Sequence, residues 1–240
     1  MGDERPRRVT VLYDLPAEGM RDEAVNQVAS AVARLGHETD VLGITDDLDV
    51  LAERFHERPP DLVINLAEKL AGNPHLAPDV AAALELLQVP FTGPGPAALY
   101  LSCDRLLARR LLASHGVPAL FMEGRVLETD VTVGILGNDP FDVLPLALGD
   151  SERIAPLVRA TASALRLRDY ALVVVRENGK GTAEVVGCMP NPSLAPSDEL
   201  ARAARRAGWR YEDMIRRIMD EAWARREGAG QASAGRETYE

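Results

Sequence analysis

The sequence predicts an α/β fold, in which an N-terminal parallel sheet carries helices on both faces and a smaller α+β unit follows. Three observations carry this expectation. Strand-type and helix-type apolar patterns alternate through residue 92, the order that builds parallel sheets with helices on both sides. Beyond Pro118 the pattern changes to paired alternating segments around turn residues, the mark of antiparallel hairpins. A chain of 240 residues, 46% hydrophobic and 27% charged, has the size and balance to bury a large core.

The elements follow in order. Val9-Thr10-Val11-Leu12-Tyr13 reads as a buried strand, with a loop over 14–19. Val25, Val28, Val32 and Leu35 recur at helical spacing, and Gly36 sits where a helix C-cap glycine belongs. Residues 38–42 read as a strand, 47–56 as a helix and 61–65 as a third strand, with Pro59-Pro60 marking the turn. A helix over 79–88 and a short strand over 89–92 complete the alternation. Helices are expected over 97–103 and 104–115, closed by Gly116 and Pro118. Residues 130–136 and 142–148 form one predicted hairpin, and 170–176 with 183–189 a second. Between them Ser151 opens a helix carrying Ile154, Leu157, Val158 and Leu165. Helices over 198–207 and 211–226 finish the fold. The division is therefore 1–96 for the first domain, 97–226 for the second and 227–240 for a small, polar, aperiodic tail read as disordered.

Composition excludes several classes. No run of about eighteen apolar residues occurs, which argues against a membrane partner, and the charged start lacks a secretory-type apolar stretch. A net charge of −10 is the wrong sign for a nucleic-acid footprint. Two cysteines, Cys103 and Cys188, form no disulfide framework, and a cytoplasmic location is expected. They read as buried free thiols rather than a redox pair. His37, His56, His75 and His115 show no metal-ligand spacing. No nucleophile elbow, phosphate loop or dinucleotide fingerprint follows any strand. Thr92-Gly93-Pro94-Gly95 ends a strand before a helix and could face a ligand, although a structural turn explains it equally well.

Ordered segments then carry a family resemblance. Residues 61–68 with Ala83-Leu84-Glu85-Leu86-Leu87-Gln88-Val89-Pro90-Phe91-Thr92-Gly93, residues 103–118, Glu123-Gly124-Arg125, Val143-Leu144-Pro145, and Met189-Pro190-Asn191-Pro192-Ser193-Leu194 together resemble the D-alanine–D-alanine ligases of the ATP-grasp fold. The resemblance covers about residues 8 to 226. It implies a pre-ATP-grasp type N-terminal domain followed by a remnant of the ATP-grasp C-terminal domain. It also implies an ancestral ATP-dependent ligation and a homodimer formed partly through the first domain.

The departures matter as much as the matches. Between Pro118 and Glu123 the family carries a subdomain with a glycine-rich loop that closes over ATP, and here those landmarks are four residues apart. Lys69 and Lys180 are the only lysines, and Arg105 stands where the family has one. The family's magnesium ligands fall on Val174, Gly187 and Met189, with only Arg176 of that strand motif retained. ATP and magnesium are therefore expected for the family but not for this chain, and no cofactor or metal is assigned. The expectation is a ligase-like protein without ligase activity. It would act as a binding or accessory subunit, pairing with itself or with a full-length ligase-like paralogue. Glu18, Glu68, Lys69, Asp104, Arg105, Arg176 and Asn191 are the candidate ligand-binding residues. Two alternatives stand beside it. The first is an ATP-independent enzyme acting on an amino acid or small peptide, with Glu68 and Lys69 in acid–base work. The second is residual nucleotide binding or ligase activity, with Arg105, Arg109 and Arg176 holding the phosphates.

Overall fold

The structure is a computed structural model that describes residues 5–15, 19, 22–120, 127, 129–145, 151–177 and 182–234. The first layer is a parallel sheet of β1 (Arg8–Asp14), β2 (Glu38–Ile44) and β3 (Leu62–Asn65) in the order β2-β1-β3. Alternation along β1 sends its side chains two ways. Val9, Val11 and Tyr13 join α1 (Glu23–Arg34) in one core, whereas Leu12 joins α2 (Asp49–Glu57) and α3 (Ala77–Leu86) in another. Helices on both faces are thus dictated by a strand with no solvent side.

The strand expected over 89–92 is a single parallel bridge, Val63 to Phe91. Val63 N donates to Pro90 O at 2.8 Å and Thr92 N to Val63 O at 2.9 Å. Pro90 has no N–H to extend the ladder, and Gly93, at φ +86°, turns the chain away. Helices α4 (Pro96–Cys103) and α5 (Arg105–Ser114) follow.

The second sheet has the order β5-β4-β6-β7 and is antiparallel throughout, from β4 (Val131–Leu136), β5 (Asp142–Val143), β6 (Tyr170–Glu177) and β7 (Ala183–Met189). Of the strand expected over 142–148, Asp142 and Val143 pair with β4, and residues 146–148 lie outside the described residues. Helix α6 (Ser151–Ala164) and α5 cover one face of this sheet around Ala171, Val173 and Val175. Helix α7 (Glu199–Arg206) packs on β4, and α8 (Tyr211–Ala234) returns to the first layer against α1 and β3. Met214, Ile215, Ile218, Met219 and Trp223 of α8 join Val9, Val11, Leu62 and Ile64 in one core. Each fully buried aliphatic side chain there is worth about 1.5–3 kcal/mol. The boundary drawn at residue 96 therefore separates the two sheets but not their cores. Helix α8 also continues to Ala234, past the break expected at residue 227. Residues 235–240 of that tail lie outside the described residues.

The two layers are joined by a buried charge. Asp169 is fully buried at φ +62°, a backbone conformation that aspartate tolerates better than most residues. Its carboxylate accepts from Gly93 N at 2.8 Å, Asn138 Nδ2 at 3.3 Å and Arg225 Nη2 at 2.7 Å and Nε at 3.1 Å. Arg225 also donates to Phe91 O at 2.8 Å, and Arg168 Nε to Gly93 O at 2.7 Å. Desolvation still pushes the Asp169 carboxyl up to about 6 against these donors. The pair therefore offsets a burial cost rather than adding free stability. Asp169→Ala leaves Arg225 and the Gly93 N–H without their partner and is expected to lower stability by about 3 kcal/mol. Glu38→Ala, which removes the exposed partner of Arg8 and Arg58, is expected to cost no more than about 1 kcal/mol. Chemical denaturation of both variants checks the contrast.

Candidate functional site

The carboxyl ends of β1 and β3 open toward the segment that follows β7, and two adjoining cavities lie between them. Open parallel sheets bind ligands at this edge. At the end of β3, Asn65 is buried and its Oδ1 accepts from Ala67 N at 3.1 Å, which fixes the turn. Asp14, at the end of β1, accepts from Glu68 N at 2.9 Å. The loop is thereby fastened to the sheet and presents Glu68 and Lys69. From the other side, Tyr170 OH donates to Asn191 Oδ1 at 2.6 Å, and Asn191 Nδ2 donates to Ala67 O at 3.4 Å. Asn191 holds the two loops at a set separation. The Tyr13 ring lies over Gly43, where a Cβ would come within 2.9 Å of it, so Gly43 makes room for this wall.

The first cavity, about 400 Å³, is lined by Tyr13, Asp14, Asp22, Glu68, Lys69, Asn191 and Ser193 among others. The second, about 550 Å³, runs between α4 and the second sheet, past Leu99, Cys103, Leu172, Cys188 and Met189. Glu68, Asn191, Pro192 and Ser193 line both. Both volumes suit a small molecule. Glu68 reaches solvent, yet partial burial raises its carboxyl above the ordinary value. Asp14, Asp22 and Asp198 push the same way, and Lys69 opposes them.

Three of the seven predicted residues, Glu68, Lys69 and Asn191, meet in this cleft. Glu18 lies outside the described residues, as do Lys180 and Glu123-Gly124-Arg125. Asp104 is placed as a helix cap, accepting from Leu107 N at 2.9 Å. Arg105 and Arg109 are exposed on α5 and line neither cavity. Arg176 forks onto Asp130 at 2.6 and 2.8 Å, and the hydrogen bond from Arg176 is the main cause holding the fully covered Asp130 carboxyl below its usual range. Thr92, Gly93 and Pro94 are buried in the junction around Asp169, so their turn is structural. Asp22, Asp198 and Ser193 also line the cleft without having been singled out. Asp22 and Asp198 stand just before helices, where a cap explains an aspartate in sequence. The two cysteines, far apart in sequence, both line the second cavity.

The positions aligned with magnesium ligands lie on paired strands. Val174 faces Gly187 in register, Leu172 faces Met189, and a bulge follows Val174. Val174 is 2% exposed, and an added Cβ at Gly187 would touch only Val174. Met189 is 42% exposed and borders the second cavity. None of the three offers a side-chain oxygen, the kind of donor that magnesium sites draw on, so they do not fit the family's metal. Among the described residues, no group of three or more His, Cys, Asp or Glu is arranged to hold a metal ion. No described helix is long and apolar enough to cross a membrane.

No family model matches the chain. An uncharacterized protein of Sinorhizobium fredii, y4sG, is 24% identical over 301 positions covering 85% of this chain and 89% of that protein. That alignment is longer than the chain itself, so the relative carries residues absent here. The D-alanine–D-alanine ligase of Paramagnetospirillum magneticum is 34% identical over 149 residues, covering 60% of this chain and 47% of the ligase. The Aquifex aeolicus ligase is 27% identical over 175 residues, covering 70% and 57%. The matched stretch thus spans about half the length of those two ligases. In structure, the D-alanine–D-alanine ligase of Bacillus anthracis complexed with ATP superposes with a TM-score of 0.76 at 15% identity, covering 92% of this chain and 99% of that one. The two-sheet plan matches the fold of that ligase. Within that fold, the chain is related to the D-alanine–D-alanine ligases in both sequence and structure.

Because Asp14 is the largest charged contributor to the raised Glu68 carboxyl, Asp14→Asn is expected to bring it back toward the ordinary value near about 4.3. A raised acid favours the folded state below its unfolded value, and that contribution fades as pH rises through the folded one. Carbon-detected NMR titration of Glu68 in both proteins reads the direction. An unchanged midpoint would show that Asp14 does not act on it.

Proposed function

We propose that the chain is a non-ligating relative of the D-alanine–D-alanine ligases that works by binding, in the cytoplasm. The cleft would hold an amino acid or short peptide between Lys69 and the carboxylates of Glu68, Asp14 and Asp22. The observation that carries this reading is the chemistry of Val174, Gly187 and Met189. Phosphoryl transfer depends on metal ions and cations for nearly all of its rate, and these positions supply neither. Arg176, the retained cation of that strand, is committed to Asp130. After α5 the chain runs directly onto β7, with Leu120 N donating to Val185 O at 2.8 Å and Val185 N to Pro118 O at 2.9 Å. That short connection supports the absence of a phosphate-covering subdomain. ADP release from ATP and magnesium with D-alanine is expected to stay at the buffer background, and turnover above it would overturn the reading.

Pairing with a second copy or with a full-length ligase-like paralogue belongs to the same proposal. Leu86, Tyr100, Leu106 and Leu107 are large, at least half exposed, and lie on the consecutive helices α3, α4 and α5. Sedimentation velocity is expected to show a dimer that Leu107→Glu weakens. A monomer at every concentration would remove self-pairing. A second reading, ATP-independent acid–base chemistry, is favoured by the raised Glu68 carboxyl beside Lys69. Release of free amino acid from dipeptides would select it.

A further inference from the structure

The second cavity differs in character from the first. Its walls are Leu99 of α4, Leu172 and Met189 of the second sheet, and the prolines around them. Among the described residues lining it there is no lysine, arginine or histidine, and there are three carboxylates: Glu68, Asp198 and Glu199. Such a chamber repels phosphates and carboxylates and favours a cation with an apolar body. The three acids are not equivalent. Glu199 is already held by Arg202 at 2.6 Å and Arg206 at 3.0 Å. Asp198 occupies the N-cap position of α7 yet makes no bond to the helix N–H groups, which that residue type normally serves. Its Oδ1 accepts from Ser197 Oγ at 3.3 Å, and the residue borders the cavity and adds to the field on Glu68. Lys69, the nearest cation in sequence to Glu68, lines only the first cavity.

We infer that the cavity between α4 and the second sheet binds an amphiphilic primary amine, its ammonium at Glu68 and Asp198 and its apolar body against Leu99, Leu172 and Met189. The inference rests on the reading of the cleft as a binding site and names what its second chamber takes. The chamber stands where the magnesium-ligand alignment ends, at Met189, so a position suited to a hard cation and phosphate is lined here for a soft apolar group. The two thiols provide a readout. Burial pushes the Cys188 thiol up to about 12, which favours its protonated, less nucleophilic form near neutral pH. Cys103, on α4, is the reporter.

The test measures hexylamine, hexanoate and 1-hexanol on the full chain by calorimetry near neutral pH, with N-ethylmaleimide labelling of Cys103 in parallel. Hexylamine is expected to bind about tenfold more tightly than the other two and to slow labelling. The Glu68→Gln, Asp198→Asn double variant, checked for an unchanged unfolding temperature, is expected to bind hexylamine no better than 1-hexanol. Equal binding of the three probes, or amine binding that leaves Cys103 labelling unchanged, would overturn the inference. If the double variant unfolds, the comparison of the three probes on the unaltered chain decides alone. ADP formation with ATP and D-alanine strikes at the non-ligating reading and leaves the amine preference standing. Loss of that preference without ADP formation strikes only at this inference.

Discussion

The carboxylate of Asp169 is the constraint on which both layers depend. It sits where the first sheet ends, the second begins and the last helix arrives, and it is satisfied from all three. Gly93 supplies a backbone N–H from the end of the first layer, Asn138 a side chain from the turn after β4, and Arg225 a guanidinium from α8. A buried charge is costly unless its partners are placed well. Few arrangements of the two sheets satisfy all the donors at once. The cleft inherits its shape from this junction, because Tyr170, the next residue, aims its hydroxyl at Asn191. Moving one sheet against the other would break the carboxylate's bonds and the floor of the cleft together.

Geometry and chemistry diverge in a consistent direction. The fold shared with the Bacillus anthracis ligase is present, with β6 paired to β7 in the second sheet. The side chains at its critical points are apolar, absent or engaged elsewhere. What the cleft retains is charge of mixed sign in one chamber and acidic and apolar lining in the next. On the proposed reading, such a lining suits a small organic ion better than a polyphosphate.

Much of this was legible in the residues because local periodicity and tertiary burial coincide. Val9, Val11 and Leu12 read as a buried strand and are one. Glu68, Lys69 and Asn191 fell on loops at a sheet edge and meet there. Illegible features depend on partners far along the chain. Asp104 and Arg176 have side chains suited to ligands, but Leu107 N and Asp130 take them. Pro90 ended a strand after one bridge, a cost that alternation of apolar residues does not register. The residues preceding β6 gave no sign that Asp169 would be buried with Arg225, since nothing in composition marks a charge that finds its counterion more than fifty residues away.

Helix α8 brings a different kind of consequence. Its Met214, Ile215, Ile218 and Trp223 cover the same face of the first sheet as α1, while Trp223 Nε1 donates to Asp61 O at 3.3 Å and its ring stacks under Arg7 at 4.3 Å. Strand β1 therefore keeps part of its apolar face uncovered until α8, about two hundred residues later, has emerged. Such a chain has a high contact order at its core, which slows folding and lengthens the time its strands are available to other chains. Its vulnerable moment is during translation, and any chaperone or partner that shields it must act before the C-terminal helix lands.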